Sequence, residues 1–121
     1  MAKTVLVIDD DAAMRMTLGR TLGQTGYDVI TAANGNEGLE VCRSRAVDLV
    51  ITDLFMPDKE GMETIMELRR NFPNIAIVAI SGMVDAAPLL TTARLLGAAK
   101  TLRKPFEPEE MLTAVEEVLR R

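Results

Sequence analysis

The segment Val47-Asp48-Leu49-Val50-Ile51-Thr52-Asp53-Leu54-Phe55-Met56-Pro57 packs aliphatic and β-branched residues into the length of one buried strand. It halts on the carboxylate of Asp53 and then meets Pro57, which cannot join a sheet ladder. Asp53 is therefore expected where a strand ends. Three further runs halt on polar residues in the same way. Thr4 to Ile8 stops on Asp9-Asp10-Asp11, Ile75 to Ile80 stops on Ser81-Gly82, and the weaker run Ala98 to Leu102 stops on Arg103-Lys104-Pro105. If these strands lie parallel in one sheet, acids, a hydroxyl and an amine converge on its carboxyl edge, where open α/β sheets place their ligands.

The segments between the strands read as helices. Asp11 is placed to cap a helix over about residues 12 to 25, with Met14, Leu18 and Leu22 on one face and Gly26 ending it. Asp28 to Ala32 reads as a short strand at the sheet edge. After an Asn34-Gly35 turn, Glu37 to Arg45 reads as a helix with Leu39, Cys42 and Ala46 inward. Gly61 to Asn71 is predicted to bury Met62, Ile65, Met66 and Leu68. Asp85 is a candidate cap for a helix that carries Pro88 in its first turn and Leu89, Ala93 and Leu96 inward. Pro108 to Arg120 carries the cleanest apolar stripe, Met111, Leu112, Val115, Val118 and Leu119. Five βα units in succession predict an α/β fold with right-handed crossovers and a doubly wound parallel sheet. A chain this short fits five strands in the order 2-1-3-4-5, which sets Asp9 and Asp10 beside Asp53.

Bulk properties narrow the function. A length of 121 residues predicts one domain over residues 1–121, and a net charge of -4 argues against direct nucleic-acid binding. No apolar run reaches the roughly 18 residues of a membrane span, and Met1-Ala2-Lys3 lacks a signal-peptide layout, so the expected compartment is the cytoplasm. The single Cys42 excludes an internal disulfide and reads as a small buried hydrophobe. The chain has no histidine, which removes His-based triads, the usual zinc sites and any phosphohistidine formed within it.

Chemistry is left to carboxylates, hydroxyls and lysine. Carboxylates about 4 Å apart repel by a few kcal/mol at an effective dielectric of about 20, so a cluster of them needs a cation or takes up protons. An all-oxygen site suits Mg2+, which uses one or two carboxylates and accepts phosphate oxygens as remaining ligands. Asp10 and Asp53 are candidates to bind it directly, with Asp9 holding a coordinated water. An Asp carboxylate can attack phosphorus when charge on the transferring group is neutralised, a task suited to Mg2+, Lys104 and the Ser81 hydroxyl. Asp11 keeps the reading of a helix cap, and Asp58, Glu60, Glu107, Glu109 and Glu110 read as solvated charges near helix starts.

With these residues placed, the chain resembles the receiver domain of two-component response regulators over nearly its whole length. The matching elements are Asp9-Asp10, Asp53 with Leu54-Phe55-Met56-Pro57 and Gly61, Ser81-Gly82, and Lys104-Pro105-Phe106, all in order and at the family's spacing. The resemblance implies the flavodoxin-like fold and Asp53 as acceptor of a phosphoryl group from a sensor histidine kinase or histidine phosphotransfer protein. It further implies Mg2+ held by Asp10, Asp53 and the backbone carbonyl of Phe55, with Asp9 acting through water, and Lys104 and Ser81 on the phosphoryl oxygens. Such a protein catalyses only its own phosphorylation and dephosphorylation and signals through a small two-state shift. Its target is a downstream protein or an output domain beyond this sequence, and the chain itself is expected as a monomer or weak dimer.

Three positions depart from the family's usual pattern or bear on its kinetics. Thr101 stands where an aromatic residue usually turns inward on the fifth strand, so output is expected to use another route. Phe55 and Met83 border the phosphoryl position and, being apolar, are expected to hinder hydrolytic water and slow self-dephosphorylation, a rate that Phe55→Asn would raise. Rival readings are less well served. A haloacid dehalogenase-type phosphatase wants Thr or Val at Ala13 and an acidic pair after the fourth strand. A flavin module would not place three aspartates against a flavin phosphate. A receiver-fold adaptor that binds partners without phosphorylation is the alternative that Thr101 keeps open.

Overall fold

A computed structural model describes residues 2–54, 61–82 and 86–120. Its elements in chain order are β1 (Thr4–Ile8), α1 (Ala12–Gln24), β2 (Asp28–Ala32), α2 (Gly35–Ser44), β3 (Leu49–Asp53), α3 (Gly61–Asn71), β4 (Ala76–Ser81), α4 (Ala86–Leu96), β5 (Lys100–Arg103) and α5 (Pro108–Leu119). All strand pairs are parallel and the sheet order is β2-β1-β3-β4-β5. This is the expected doubly wound architecture, with β2 at one edge as read from its short, mixed sequence.

Period-2 alternation along the strands divides the core into two layers. Leu6, Ile8, Val50, Ile77 and Ala79 face one side, where Leu39 and Cys42 of α2, Ile65 and Leu68 of α3 and Leu90 and Ala93 of α4 cover them. Val5, Val7, Leu49, Ile51, Val78 and Ile80 face the other, under Leu18 and Leu22 of α1 and Met111, Val115 and Val118 of α5. The central strands β1, β3 and β4 are covered on both faces, which is why they read as unbroken apolar runs.

Local chemistry sets the helix ends. The Asp11 side chain accepts from the Ala13 N–H at 2.9 Å, and Gly26, with φ 102, turns the chain out of α1. Asn34 is the cap of α2, its side chain accepting from the Glu37 N–H at 2.9 Å. The helix thus starts at Gly35, two residues earlier than expected, because Asn-Gly serves as a helix entry and not as a free turn. Glu107 and Glu110 are likewise more than solvated charges: the Glu110 carboxylate accepts from the Glu107 N–H at 3.0 Å at the start of α5.

Among the described residues two buried-face assignments fail, and the side chain of Leu89 lies outside them. Met66 is 45% exposed, and its expected place on the inner face of α3 is taken by Thr64, which is fully buried. A face anchored by Gly61, Ile65 and Leu68 turns position 66 outward, and apolar character alone did not reveal that angle. Ala46 is exposed because α2 ends at Ser44, so helical spacing from Cys42 no longer applies. The candidate cap Asp85 lies outside the described residues.

Candidate functional site

The sheet register brings the strand-end residues together. Ile8 pairs with Ala32 on one side and Thr52 on the other, so Asp9 emerges next to Asp53. The β1–β2 ladder runs one residue further, with the Asp9 N–H donating to Ala32 O at 3.2 Å. Asp53 pairs with Ile80, which places Ser81 one step beyond it on β4. Ser81 pairs with Arg103, and the Lys104 N–H donates to Ser81 O at 2.8 Å, continuing that ladder to the lysine. The Lys104–Pro105 peptide is cis. Residues 95 positions apart in the chain thus meet at one rim, as the bond between Lys104 and Asp9 records.

Lysine 104 links the acids. Its Nζ donates to Asp53 Oδ2 at 2.8 Å and to Asp9 Oδ2 at 3.0 Å. Asp9 is fully buried, Asp53 is 5% exposed and Ser81 is fully buried, while Asp10 is exposed at the mouth. One carboxylate oxygen from each of Asp9, Asp10 and Asp53 lies within 4.8 Å of the others. Three hard oxygen donors at that spacing, one open to solvent, fit a divalent ion that keeps water and a phosphate oxygen in its shell.

Burial pushes the Asp9 carboxyl above its ordinary 3.8, against the opposing pull of the Asp11 N–H and the Lys104 ammonium. For Lys104 burial acts to lower the ammonium, but the hydrogen bonds to Asp53 and Asp9 outweigh it and hold the group above 10.5. The lysine therefore stays charged beside an Asp9 carboxyl that burial makes expensive to ionise. Cys42, by contrast, is pushed up to about 11 by burial, as suits an inert packing thiol.

Glycine at position 61 keeps the rim open. A Cβ there would stand 2.2 Å from the Asp53 carbonyl oxygen and 2.5 Å from Leu54 Cα, so only glycine lets α3 begin against the end of β3. The Gly61 N–H donates to Leu54 O at 3.2 Å, and the Leu54 N–H to Ile80 O at 2.9 Å, so the backbone around Asp53 is held from both sides.

Of the residues singled out in the sequence, Asp9, Asp10, Asp53, Ser81 and Lys104 all reach the carboxyl edge of the sheet. Phe55, the expected carbonyl ligand, and Met83 lie outside the described residues. Thr101, on β5, is half-buried. Two neighbours of the site escaped the sequence reading. The Thr52 hydroxyl donates to Asp53 O at 3.0 Å, and Arg15 Nη1 donates to Asp9 O at 2.7 Å. Thr52 read as one more β-branched strand residue, and Arg15 follows Asp9 by six positions with no pattern linking the two. A hollow of about 410 Å³ lies at the opposite, amino end of the sheet, lined by Lys3, Tyr27, Glu116 and Arg120 among others. It holds none of these residues, and the convergent charges make the carboxyl edge the better candidate.

Comparison with known proteins agrees with the site. The response regulator receiver domain family matches residues 5–116, and the chain belongs to that family. Members of this family act in signalling and are not enzymes of the ordinary kind. The chain is 34% identical to the chemotaxis protein CheY of Thermotoga maritima, covering 98% of each chain. It is 38% identical to the probable transcriptional regulator ycf27 of Porphyridium aerugineum, over 97% of this chain but 48% of that protein. The chain thus spans about half the length of the ycf27 relatives it matches. Among solved structures, a CheY-like receiver domain protein from Methanospirillum hungatei superposes with a TM-score of 0.93 at 27% identity, covering 99% of this chain and 95% of that one. Vibrio cholerae CheY4 superposes with a TM-score of 0.90 at 30% identity, covering 98% and 99%.

Proposed function

We propose that Asp53 accepts a phosphoryl group from a phosphohistidine on a sensor histidine kinase or histidine phosphotransfer protein, and that this modification relays a signal. The observation that carries the reading is the double contact of Lys104 with Asp53 and Asp9, beside the exposed carboxylate of Asp10. A carboxylate oxygen of Asp53 attacks phosphorus in line with the departing imidazole nitrogen. The P–O bond forms, the P–N bond breaks, and the imidazole nitrogen takes up a proton from solvent. Lys104 is close enough to shift its ammonium from carboxylate to phosphoryl oxygen without leaving the site, and its raised proton affinity keeps it cationic throughout. Ser81 supplies a hydroxyl donor one register step away.

Asp9, Asp10 and Asp53 would hold Mg2+, with the carbonyl of Phe55 as a further ligand by family resemblance. When bound, the ion offsets negative charge on the transferring phosphoryl group. Asp9, held by Lys104 and the Asp11 N–H, is suited to orient a water and not to rotate inward. We propose residues 1–121 as one receiver domain working in the cytoplasm, with a downstream protein or an output domain beyond this sequence as its target.

The second reading, an adaptor that binds partners without phosphorylation, rests on Thr101, whose short half-buried side chain lacks the ring used to couple site and surface. One experiment separates the two. The purified chain is incubated with Mg2+ and acetyl phosphate and its intact mass is recorded, in parallel with Asp53→Ala. A gain of one phosphoryl group in the native chain alone is expected. A native chain that gains nothing leaves the adaptor reading standing.

A further inference from the structure

We infer that Arg15 is a positioning residue that sets the aim of Asp10 through the backbone carbonyl of Asp9, an inference that rests on the metal-dependent reading of the site above. Asp9 is tied at every polar group. Its N–H donates to Ala32 O at 3.2 Å, its Oδ1 accepts from the Asp11 N–H at 3.0 Å, and its Oδ2 accepts from Lys104 at 3.0 Å. The fourth tie is the Arg15 guanidinium, whose Nη1 stands 2.7 Å from the Asp9 carbonyl oxygen.

That carbonyl belongs to the peptide that leads into Asp10. Because the peptide unit is planar, fixing its oxygen fixes the Asp10 N–H and Cα as well, and with the following peptide held by the Asp11 N–H bond to Asp9 Oδ1 at 3.0 Å, the direction of the Asp10 side chain is set from both sides. Asp10 has particular need of this. It is exposed, and among the described residues no hydrogen bond holds its carboxylate, yet one of its oxygens lies within 4.8 Å of those of Asp9 and Asp53. Arg15 can impose the constraint because its own backbone is rigid: α1 is anchored by the buried Leu18 and Leu22, and the Arg15 N–H donates to Asp11 O at 3.0 Å. A charge-assisted bond from a partly buried guanidinium holds better than a water in the same place. Without it the Asp9–Asp10 peptide gains freedom, and the third oxygen donor leaves its place more often.

The test uses the full chain and Mg2+ alone as probe, titrated calorimetrically, with melting temperature measured without the ion and phosphorylation by acetyl phosphate measured across Mg2+ concentrations. Arg15→Met keeps the aliphatic stem and removes the donor. It is expected to bind Mg2+ about tenfold more weakly, the scale of loss seen when an outer partner of a metal ligand is removed. Arg15→Lys, which retains a donor, is expected to recover part of that loss, and saturating Mg2+ to return the phosphorylation rate of both variants close to native. A purely structural role would lower the melting temperature and leave the Mg2+ titration unchanged, and that result overturns the inference. Should Arg15→Met fail to fold, Arg15→Leu, which also lacks the donor, carries the comparison, and native Mg2+ affinity in it overturns the inference equally. A native chain that binds no Mg2+ instead overturns the reading of the site, and this inference with it.

Discussion

The Nζ atom of Lys104 lies 2.8 Å from Oδ2 of Asp53, a residue 51 positions earlier in the chain and two strands away in the sheet. The same ammonium reaches Asp9, so one cation is shared between two buried acids. Lysine and a divalent ion therefore compete for the same negative charge. Removing the lysine leaves two buried carboxylates without their counter-charge, a loss of about 2 kcal/mol once its partial exposure is allowed for. Lys104→Met is expected to be destabilised by that amount in chelator and to bind Mg2+ more tightly than the native chain. Urea unfolding with and without Mg2+, together with calorimetric titration, checks both. Weaker Mg2+ binding by the variant would contradict the competition.

The pH dependence of the metal-free protein follows from the same pair of charges. Asp9 has its folded-state pKa raised above 3.8 by burial, so its ionised form is the less stable one in the fold. The penalty is absent below the unfolded pKa, grows as pH rises through 3.8, and is complete above the folded value. Asp9→Asn is accordingly expected to stabilise the chain at pH 7 without Mg2+, and the gain should shrink as pH falls toward 3.8. Chemical denaturation at a series of pH values reads this directly. A variant less stable than native at pH 7 would show that the Lys104 contact outweighs the burial cost.

At the alkaline end stability again falls as pH rises, this time through loss of a favourable charge. Lys104 has its folded-state pKa raised above 10.5, so the stability it contributes is fully present below that value and is lost as pH rises through the folded pKa. Native chain and Lys104→Met should therefore converge in stability above about pH 10.5, a comparison that thermal melts in carbonate buffer can make. Constant separation of the two curves through this range would assign the contribution to packing and not to charge.

The fold was readable because its three central strands are buried on both faces and stand out as unbroken apolar runs, each closed by a polar residue. That placement also made the site legible: where strands are parallel, residues that end them share one rim, and four strand ends named Asp9, Asp10, Asp53, Ser81 and Lys104. What stayed hidden depended on angles and on backbone atoms. Met66 is apolar but lies on the outer turn of α3, a matter of helix rotation that composition does not encode. Thr52 and Arg15 act on carbonyl oxygens, partners present at every position and therefore invisible in a pattern of side chains. Glu107 and Glu110 looked like solvated charges because a reciprocal cap needs the helix start fixed to the residue.

Gly61 offers the sharpest steric test of the rim. A methyl group on its Cα would sit 2.2 Å from the Asp53 carbonyl oxygen, and the obstacle is backbone, which cannot swing aside as a side chain would. Either α3 backs away from the end of β3 or the Asp53–Leu54 peptide moves, and both displace the carboxylate from its contact with Lys104. Gly61→Ala is expected to cost about 2 kcal/mol in stability despite the better helix propensity of alanine, in line with other forced overpacking. It is also expected to lower phosphorylation of Asp53 by acetyl phosphate at saturating Mg2+, since the damage is to the geometry of the nucleophile and not to ion affinity alone. Intact-mass time courses alongside urea unfolding measure the two effects on one sample. A Gly61→Ala chain that is as stable as native and phosphorylated at the native rate would mean that the start of α3 does not press on Asp53.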